Sequence, residues 1–477
     1  MNTRWIGTVA VLYVAWCAAP VAAQVAASGF HVESIPTPQT VQGDVVRAGG
    51  VLLVGQGAFG PGLQSIVRLN GGATTIADGF GGLGGFSLGS DGTLYVVDNC
   101  FTADFGCAAA TTGDTIYAIP DALTRTTPIA AADAELLPAG SIPFAFDVLA
   151  TAGRLLVSDA AGPGAGRVVE VVGGATVDVV TGLGFAAGLA LDGETLIVGD
   201  LDGAFIGSLS RYTLDGIFLG ALASGLSGTF GVDFDPLRRD ALVTGGFAPN
   251  FTSTLAAVDA SGVATDRATG FAFTAGLFHD RVRDESLVLD FGASAVTVVC
   301  PDAGGDGDCD TPCRAPVAAD GAKLVFGNLL EPAGDDKIVF KGTATVGDPS
   351  AIDPLGDGLR LLVLSAAGVP VLDALVPGGA FDKDAGDGWK VNDRGDAWVY
   401  KNTAGVAGLT KIKVKIPKAT PDTVKFVVKG KKRGTFTVSG AAQPLSARLA
   451  FADGGVCVDA TFAACNLKKG GKVLKCL

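Results

Sequence analysis

One five-residue phrase recurs six times in the first three hundred residues, and its spacing constrains the fold more than any other feature. Leu52-Leu53-Val54-Gly55-Gln56 returns as Leu94-Tyr95-Val96-Val97-Asp98, Leu155-Leu156-Val157-Ser158-Asp159 and Leu196-Ile197-Val198-Gly199-Asp200. Weaker copies are Ala241-Leu242-Val243-Thr244-Gly245 and Ser286-Leu287-Val288-Leu289-Asp290. The copies start 42, 61, 41, 45 and 45 residues apart.

The residues around each copy complete a four-strand unit. An apolar segment precedes it, as in Gly188-Leu189-Ala190-Leu191 and Gly231-Val232-Asp233-Phe234. Asp91-Gly92 and Asp192-Gly193 join the two segments, and Asp-Gly suits a tight hairpin in which both central residues take positive φ. Two further strands follow, turning at Asn70-Gly71-Gly72, Gly173-Gly174, Asp215-Gly216 and Ser261-Gly262. Four short strands every 40–45 residues or so predict a six-bladed β-propeller. The 61-residue interval reads as a blade with an insertion at Asn99–Asp114. The last unit shows only three strands, and the unassigned segment Phe30–Ile35 is expected to pair as its outer strand and close the ring.

The N-terminus reads as a secretory signal over residues 1–23, with Arg4, an apolar stretch, and small residues Val21-Ala22-Ala23 before Gln24. No later stretch is long and uncharged enough to span a bilayer, so a periplasmic or extracellular location is expected. Without Cys17, eight cysteines remain, and an even count in a secreted chain implies disulfides. Cys100 and Cys107 bracket the insertion and are expected to pair. Cys300, Cys309 and Cys313 form one odd cluster, and Cys457, Cys465 and Cys476 another. Full oxidation therefore requires a bond between them.

Charge marks a boundary. Residues 1–313 carry 12 Arg, no Lys and 32 acidic residues, whereas residues 314–477 carry 23 basic and 16 acidic residues. The acidic part disfavours nucleic acid, and the basic part has no aromatic-rich basic stripe, so nucleic acid is not expected there either. The basic part alternates, as in Lys411-Ile412-Lys413-Val414-Lys415-Ile416, with further strands at Lys323–Phe326, Lys337–Lys341, Leu359–Leu364, Lys425–Lys429 and Thr435–Val438. One solvated and one buried face predict an antiparallel β-sandwich. The expected order is a propeller over 24–300, an Asp/Cys-rich linker over 301–316 and a sandwich over 317–477. The lysine rows read as solvent faces or as a means of attachment to an anionic cell-surface polymer.

Three groups of residues are candidates for chemistry. Asp302, Asp306, Asp308 and Asp310 in the linker alternate with Gly and fit a calcium loop, or else a solvated stapled linker. The stretch resembles thrombospondin type 3 repeats over about a dozen residues, but lacks the Glu that ends an EF-hand loop. Asp98, Asp159, Asp200 and Asp290 end four of the phrases, and such repetition favours carboxylates that brace neighbouring turns. Asp147, Asp233 and His279 lie on predicted innermost strands and are candidates for ligand or base.

The repeated Gly-apolar…Asp-Gly-x-Leu pattern resembles the six-bladed group that includes NHL-repeat proteins and SMP-30/gluconolactonase-like enzymes. That resemblance covers about residues 30–300. It implies one divalent metal held by Glu, Asn and Asp, yet none of Glu33, Glu135, Glu170, Glu194 and Glu285 starts an inner strand. The leading expectation is therefore a secreted, non-catalytic binding or scaffold protein for a protein, glycan or cell-surface ligand. The alternative is a metal-dependent hydrolase of lactones or related esters.

Overall fold

The computed structural model describes residues 24–477 except 102–106, 108–109, 152, 162–163, 246–252, 292, 303, 311–312, 314–315, 330–334, 435–437, 439–442 and 452–455. The chain is almost entirely β-structure and divides into two compact units, Met1–Thr311 and Pro312–Leu477. The leader and the expected strand at Thr435–Val438 fall wholly or largely outside the described residues. No described helix is long and apolar enough to cross a membrane.

In the first unit six antiparallel sheets follow one another. Their first strands are β1 (Val41–Ala48), β2 (Leu83–Leu88), β3 (Ala145–Thr151), β4 (Phe185–Asp192), β5 (Gly231–Asp235) and β6 (Thr274–Asp280). Each first strand packs against the next, and β6 packs back against β1. The recurring phrase forms the second strand of every sheet.

Packing explains why that phrase is apolar without alternation. Six hydrophobic clusters fill the gaps between successive sheets, including the gap from the sixth to the first. Leu53 faces the second sheet while Leu52 and Val54 face the sixth. Leu196 and Val198 face the third sheet while Ile197 faces the fifth. A strand buried on both faces needs an apolar side chain at every position. Full burial of one such Leu or Val stabilises by about 1.5–3 kcal/mol.

The ends of the first unit are tied together. Strand Phe30–Pro36 pairs antiparallel with Ala295–Pro301 as the outermost strand of the sixth sheet, the place the sequence predicts. The sheet led by β2 differs from expectation, with three strands rather than four. After the insertion the chain runs to Ile129–Ala130, which pairs parallel with Ala73–Phe80 of the preceding sheet. The Asp-Gly turns also differ. At Asp91-Gly92 only Gly92 has positive φ, 86°, because Asp91 Oδ1 accepts from Thr93 N at 3.0 Å and shapes a wider loop. At Gly173-Gly174 both residues are left-handed, at 59° and 82°.

The second unit holds two sheets around one shared hydrophobic core. The larger contains β7 (Asp320–Gly327), β8 (Asp336–Thr345), β9 (Asp387–Val391), β10 (Ala397–Val406), β11 (Leu409–Lys415), β12 (Thr423–Gly434), β13 (Cys465–Lys468) and β14 (Val473–Cys476). Their order is β9-β10-β11-β12-β8-β7-β14-β13. Trp389, Tyr400, Ile412, Val428 and Phe340 stand opposite one another across five of these strands and are all buried. The smaller sheet is built from Leu359–Leu364, Pro370–Val376, Leu445–Phe451 and Val456–Phe462, with Val317–Ala318 at its edge.

All eight cysteines of the described chain pair, as Cys100–Cys107, Cys300–Cys309, Cys313–Cys457 and Cys465–Cys476. The third bond is the link that two odd clusters require. Four disulfides point to an oxidising, non-cytoplasmic compartment.

Candidate functional site

Carboxylates and glycines share one position of the six first strands. Asp44 and Asp147 lie on β1 and β3, and Gly85, Gly188, Gly231 and Gly276 hold the matching ladder positions on β2, β4, β5 and β6, with Asp233 two residues further along β5. The glycines make room for the carboxylates. A Cβ on Gly85 would lie 1.8 Å from Asp147 Oδ1, and one on Gly276 would lie 2.8 Å from Asp44 Oδ1. Each carboxylate then accepts a backbone N–H from the following first strand. Asp44 Oδ2 accepts from Phe86 N at 3.0 Å, Asp147 Oδ2 from Leu189 N at 2.7 Å, and Asp233 Oδ2 from His279 N at 2.6 Å. The three bonds stitch the sheets in pairs.

These carboxyls are electrostatically frustrated. Burial, then the nearby charge of Asp147 and more weakly that of Asp233, pushes Asp44 well above the usual carboxylate range. Burial pushes Asp147 up to about 7, against the opposing effect of its bonds from Leu189 N and Val148 N. Among the described residues no basic side chain forms an ion pair with Asp44 or Asp147. Asp233 has Arg281 Nη2 at 3.9 Å. Asp44 Oδ1 is buried with no hydrogen-bond partner. Buried carboxylates that lack cationic partners resolve their repulsion by keeping a proton or by taking up a cation.

Phenylalanines surround the strand entrances. Phe144, Phe185 and Phe273 each stand three residues ahead of that Asp/Gly position, and Phe230 stands one residue ahead of it, on four successive sheets. With Phe146 and Phe291 they form a chain of ring contacts. Centroids are 5.5 Å apart for Phe146–Phe185, 5.4 Å for Phe146–Phe230, 5.8 Å for Phe230–Phe273 and 5.4 Å for Phe273–Phe291. Phe230 is buried and the other five are half-buried, so the cluster keeps an accessible apolar surface.

The phrase-ending aspartates set this aromatic chain. Asp200 accepts from Gly184 N and Phe185 N, and Asp290 from Ala272 N and Phe273 N. Asp98 does the same with Gly81 N and Gly82 N. In the fifth sheet Thr244 Oγ1 takes over by accepting from Gly231 N. Each such bond to a charged acceptor is worth about 1.5–3 kcal/mol. The phenylalanine repeat was visible as Phe-x-x-Asp/Gly before four of the six phrases, but without the fold nothing marked it as one surface.

The candidate residues do not form one site. Asp147 and Asp233 belong to the central carboxyl group. His279 touches that group only through its backbone N–H, and its imidazole is buried beyond it. Its Nε2 lies 3.7 Å from both Asp235 Oδ1 and Asp284 Oδ1, without a hydrogen bond. Asp235, His279 and Asp284 are the one group of three metal-ligand types found close together among the described residues. Two arginines already occupy it. Arg238 bonds Asp284 through both nitrogens at 2.7 and 2.8 Å and reaches Asp235 at 2.8 Å, while Arg267 lies 3.0 Å from Asp235. Burial pushes Asp235 up, but His279, Arg238 and Arg267 outweigh it and hold this carboxyl far below its ordinary value. The cluster is a buried ion-pair network rather than an open metal centre.

The linker aspartates are bound to their own backbone. Asp302 accepts from Asp306 N and Gly307 N at 3.1 Å, Asp306 from Asp308 N at 3.2 Å, and Asp310 from Gly304 N at 3.4 Å. They shape a turn stapled by Cys300–Cys309. Of the glutamates from which the SMP-30 resemblance would draw a ligand, Glu170 pairs with Arg154 and Glu285 with Arg47.

The chain matches no family model and no curated protein. Several solved structures are similar at low identity. A gluconolactonase from Xanthomonas campestris shares 12% identity with a TM-score of 0.41 over 60% of this chain and 99% of its own. Regucalcin from Agrobacterium tumefaciens, a calcium-binding protein, shares 14% with a TM-score of 0.38 over 57% and 94%. The PQQ-bound form of an aldose sugar dehydrogenase from Streptomyces coelicolor shares 12% with a TM-score of 0.38 over 58% and 99%. Likeness at this level assigns no chemistry.

Proposed function

We propose that the first unit is a six-bladed β-propeller and the second a β-sandwich, and that the propeller hydrolyses lactones or related esters at its phenylalanine-lined mouth. One observation carries the reading. Asp147 directly follows Phe146 of the aromatic cluster and has no basic side chain paired with it among the described residues, and burial pushes its carboxyl up to about 7. A general base works best when its pKa lies near the working pH. The scaffold reading rested on the absent His/Glu constellation together with the appended β module, and an aspartate pushed toward neutral by burial answers the first of these.

Asp147 takes the proton of an attacking water, which its ionised form is able to do near neutral pH. The phenylalanines hold the apolar part of the ester and exclude bulk water, which strengthens electrostatics at the carboxyl group. Asp44, whose buried Oδ1 has no hydrogen-bond partner, is the residue that would offer a ligand to a divalent cation. Such an ion would polarise the ester carbonyl. Asp147 and Asp233 each accept two backbone N–H groups, and Asp233 differs in having Arg281 nearby.

The test is turnover of a panel of alkyl and aryl lactones and esters by the mature chain, with and without added divalent cation. Asp147→Asn is expected to lower kcat by about 10²-fold or more while the melting temperature holds. Ligand binding at the mouth with no turnover above that of the variant would make the protein a binding propeller instead.

A further inference from the structure

The outer face of the eight-stranded sheet carries lysine without compensation. Opposite residues of an antiparallel ladder lie on the same face. Lys401, Lys411 and Lys429 stand directly opposite one another across β10, β11 and β12, and Lys415 stands opposite Lys425. Lys413 lies between these rows on β11. Five of these six are exposed and Lys411 is half-buried. Among the described residues no lysine lies within 4 Å of a carboxylate. Neighbouring strands are about 4.8 Å apart and alternate residues along a strand about 6.7 Å. Such spacings lie within the roughly 8 Å screening length at physiological salt, so the charges repel one another. Like charges placed directly opposite destabilise a sheet, and a bound polyanion would relieve that repulsion.

We propose that this face binds a linear acidic polysaccharide. The residues between the lysines select this partner. Besides lysine, outward positions on β8, β10, β11 and β12 hold small neutral residues, among them Val339, Thr343, Ala397, Val399 and Val427, with no aromatic or Arg among the described ones. Bases have nothing to stack on, which disfavours nucleic acid. Trp389, Trp398 and Tyr400 point into the core, and the one described ring at the β9 edge, Phe381, lies under Lys390, so little apolar surface is left to enter a lipid layer. A protein partner needs a buried aromatic or Arg anchor, and the face offers none. Lysine is a compact, strongly hydrated point charge, suited to a diffuse row of carboxylates or sulfates. The lattice of charge follows a ladder across the strands, as an extended chain of charged sugars requires.

The experiment uses the full mature chain on immobilised polygalacturonate, with binding measured from 50 to 300 mM salt. Binding is expected to weaken linearly on a log–log plot against salt, as for release of condensed counterions. The variant K411Q/K413Q/K415Q/K429Q is expected to bind at least about 100-fold more weakly with a shallower slope. The four lysines replaced by Arg are expected to retain binding. A control variant, K383Q/K418Q/K469Q/K472Q, removes the same charge from exposed positions off the face and is expected to bind like the parent. Equal loss in both Gln variants would show that net charge alone acts, and would overturn the proposal. So would absence of binding, or preference for anionic phospholipid vesicles or single-stranded DNA over the polyuronate. Unchanged melting temperatures exclude misfolding as the cause.

Discussion

The strand Leu196–Asp200 of the first unit and the strand Lys411–Lys415 of the second are both short β segments, yet they solve opposite packing problems. Leu196, Ile197 and Val198 are all buried, because the strand has a sheet on each side. Ile412 and Val414 are buried while Lys413 and Lys415 are exposed, because one side of that sheet meets water. Apolar content therefore reports how many faces of a strand are covered. The same difference places the chemistry. Where both faces are covered, polar groups are few and either pair with one another, as Asp235 and Asp284 do with Arg238, or stand on the first strands, as Asp44 and Asp147 do. Where one face is open, charge spreads as a lattice of ordinary lysines.

The largest expected effect breaks the covered strand. Leu53→Ala removes a fully buried side chain from the gap between the first two sheets and should destabilise by about 2–5 kcal/mol in chemical denaturation. A loss under 1 kcal/mol would mean that this gap is not tightly packed. Next comes Gly85→Ala, which forces a methyl against the Asp147 carboxylate and should cost about 1–3 kcal/mol. The double variant with Asp147→Ala should recover part of that loss. If the two changes are simply additive, the Asp/Gly arrangement is not a steric fit.

Acidity sharpens the comparison further. The folded-state pKa of Asp147 is raised from 3.8 to about 7, so the native state holds the proton more tightly than the unfolded chain. Its contribution to stability is full below about pH 4 and is lost as pH rises to about 7. In chelator, the parent should therefore lose stability over that window more steeply than Asp147→Asn does. A cation bound at the group reverses the sign, since metal favours the ionised form. Identical pH profiles for parent and variant would remove Asp147 as the base. The smallest effect belongs to the open face. Lys413→Ala should change stability by no more than about 0.5 kcal/mol, and a larger loss would mean that its aliphatic stem packs.

Much of this was legible in the chain. The six phrases, the Phe30–Ile35 strand and the lysine alternation are local patterns, and burial on two faces or one leaves its mark directly on residue choice. The bracing role of Asp98, Asp200 and Asp290 was legible too, because repetition at one position signals a repeated hydrogen bond. The site was less so. Asp147 and Asp233 stood out only as polar residues on apolar strands, and Asp44 did not stand out at all. Its partners, Phe86 N and the space above Gly276, lie 42 and 232 residues away in sequence. His279 looked like a companion of those aspartates but is held by Asp235, Asp284 and two arginines whose proximity no spacing announces.

The sequence by itself determined the strands, their number of covered faces, the division into an acidic and a basic part, and the need for a disulfide between two odd cysteine clusters. Those properties follow from periodicity, composition and parity, which act over a few residues or over simple counts. Tertiary structure alone decided that Cys313 takes Cys457, that glycine faces carboxylate around the first strands, and that phenylalanines from four sheets form one surface. These depend on closing the chain so that residues tens to hundreds of positions apart share a few ångströms, and burial and Coulomb forces act on that distance rather than on separation in sequence.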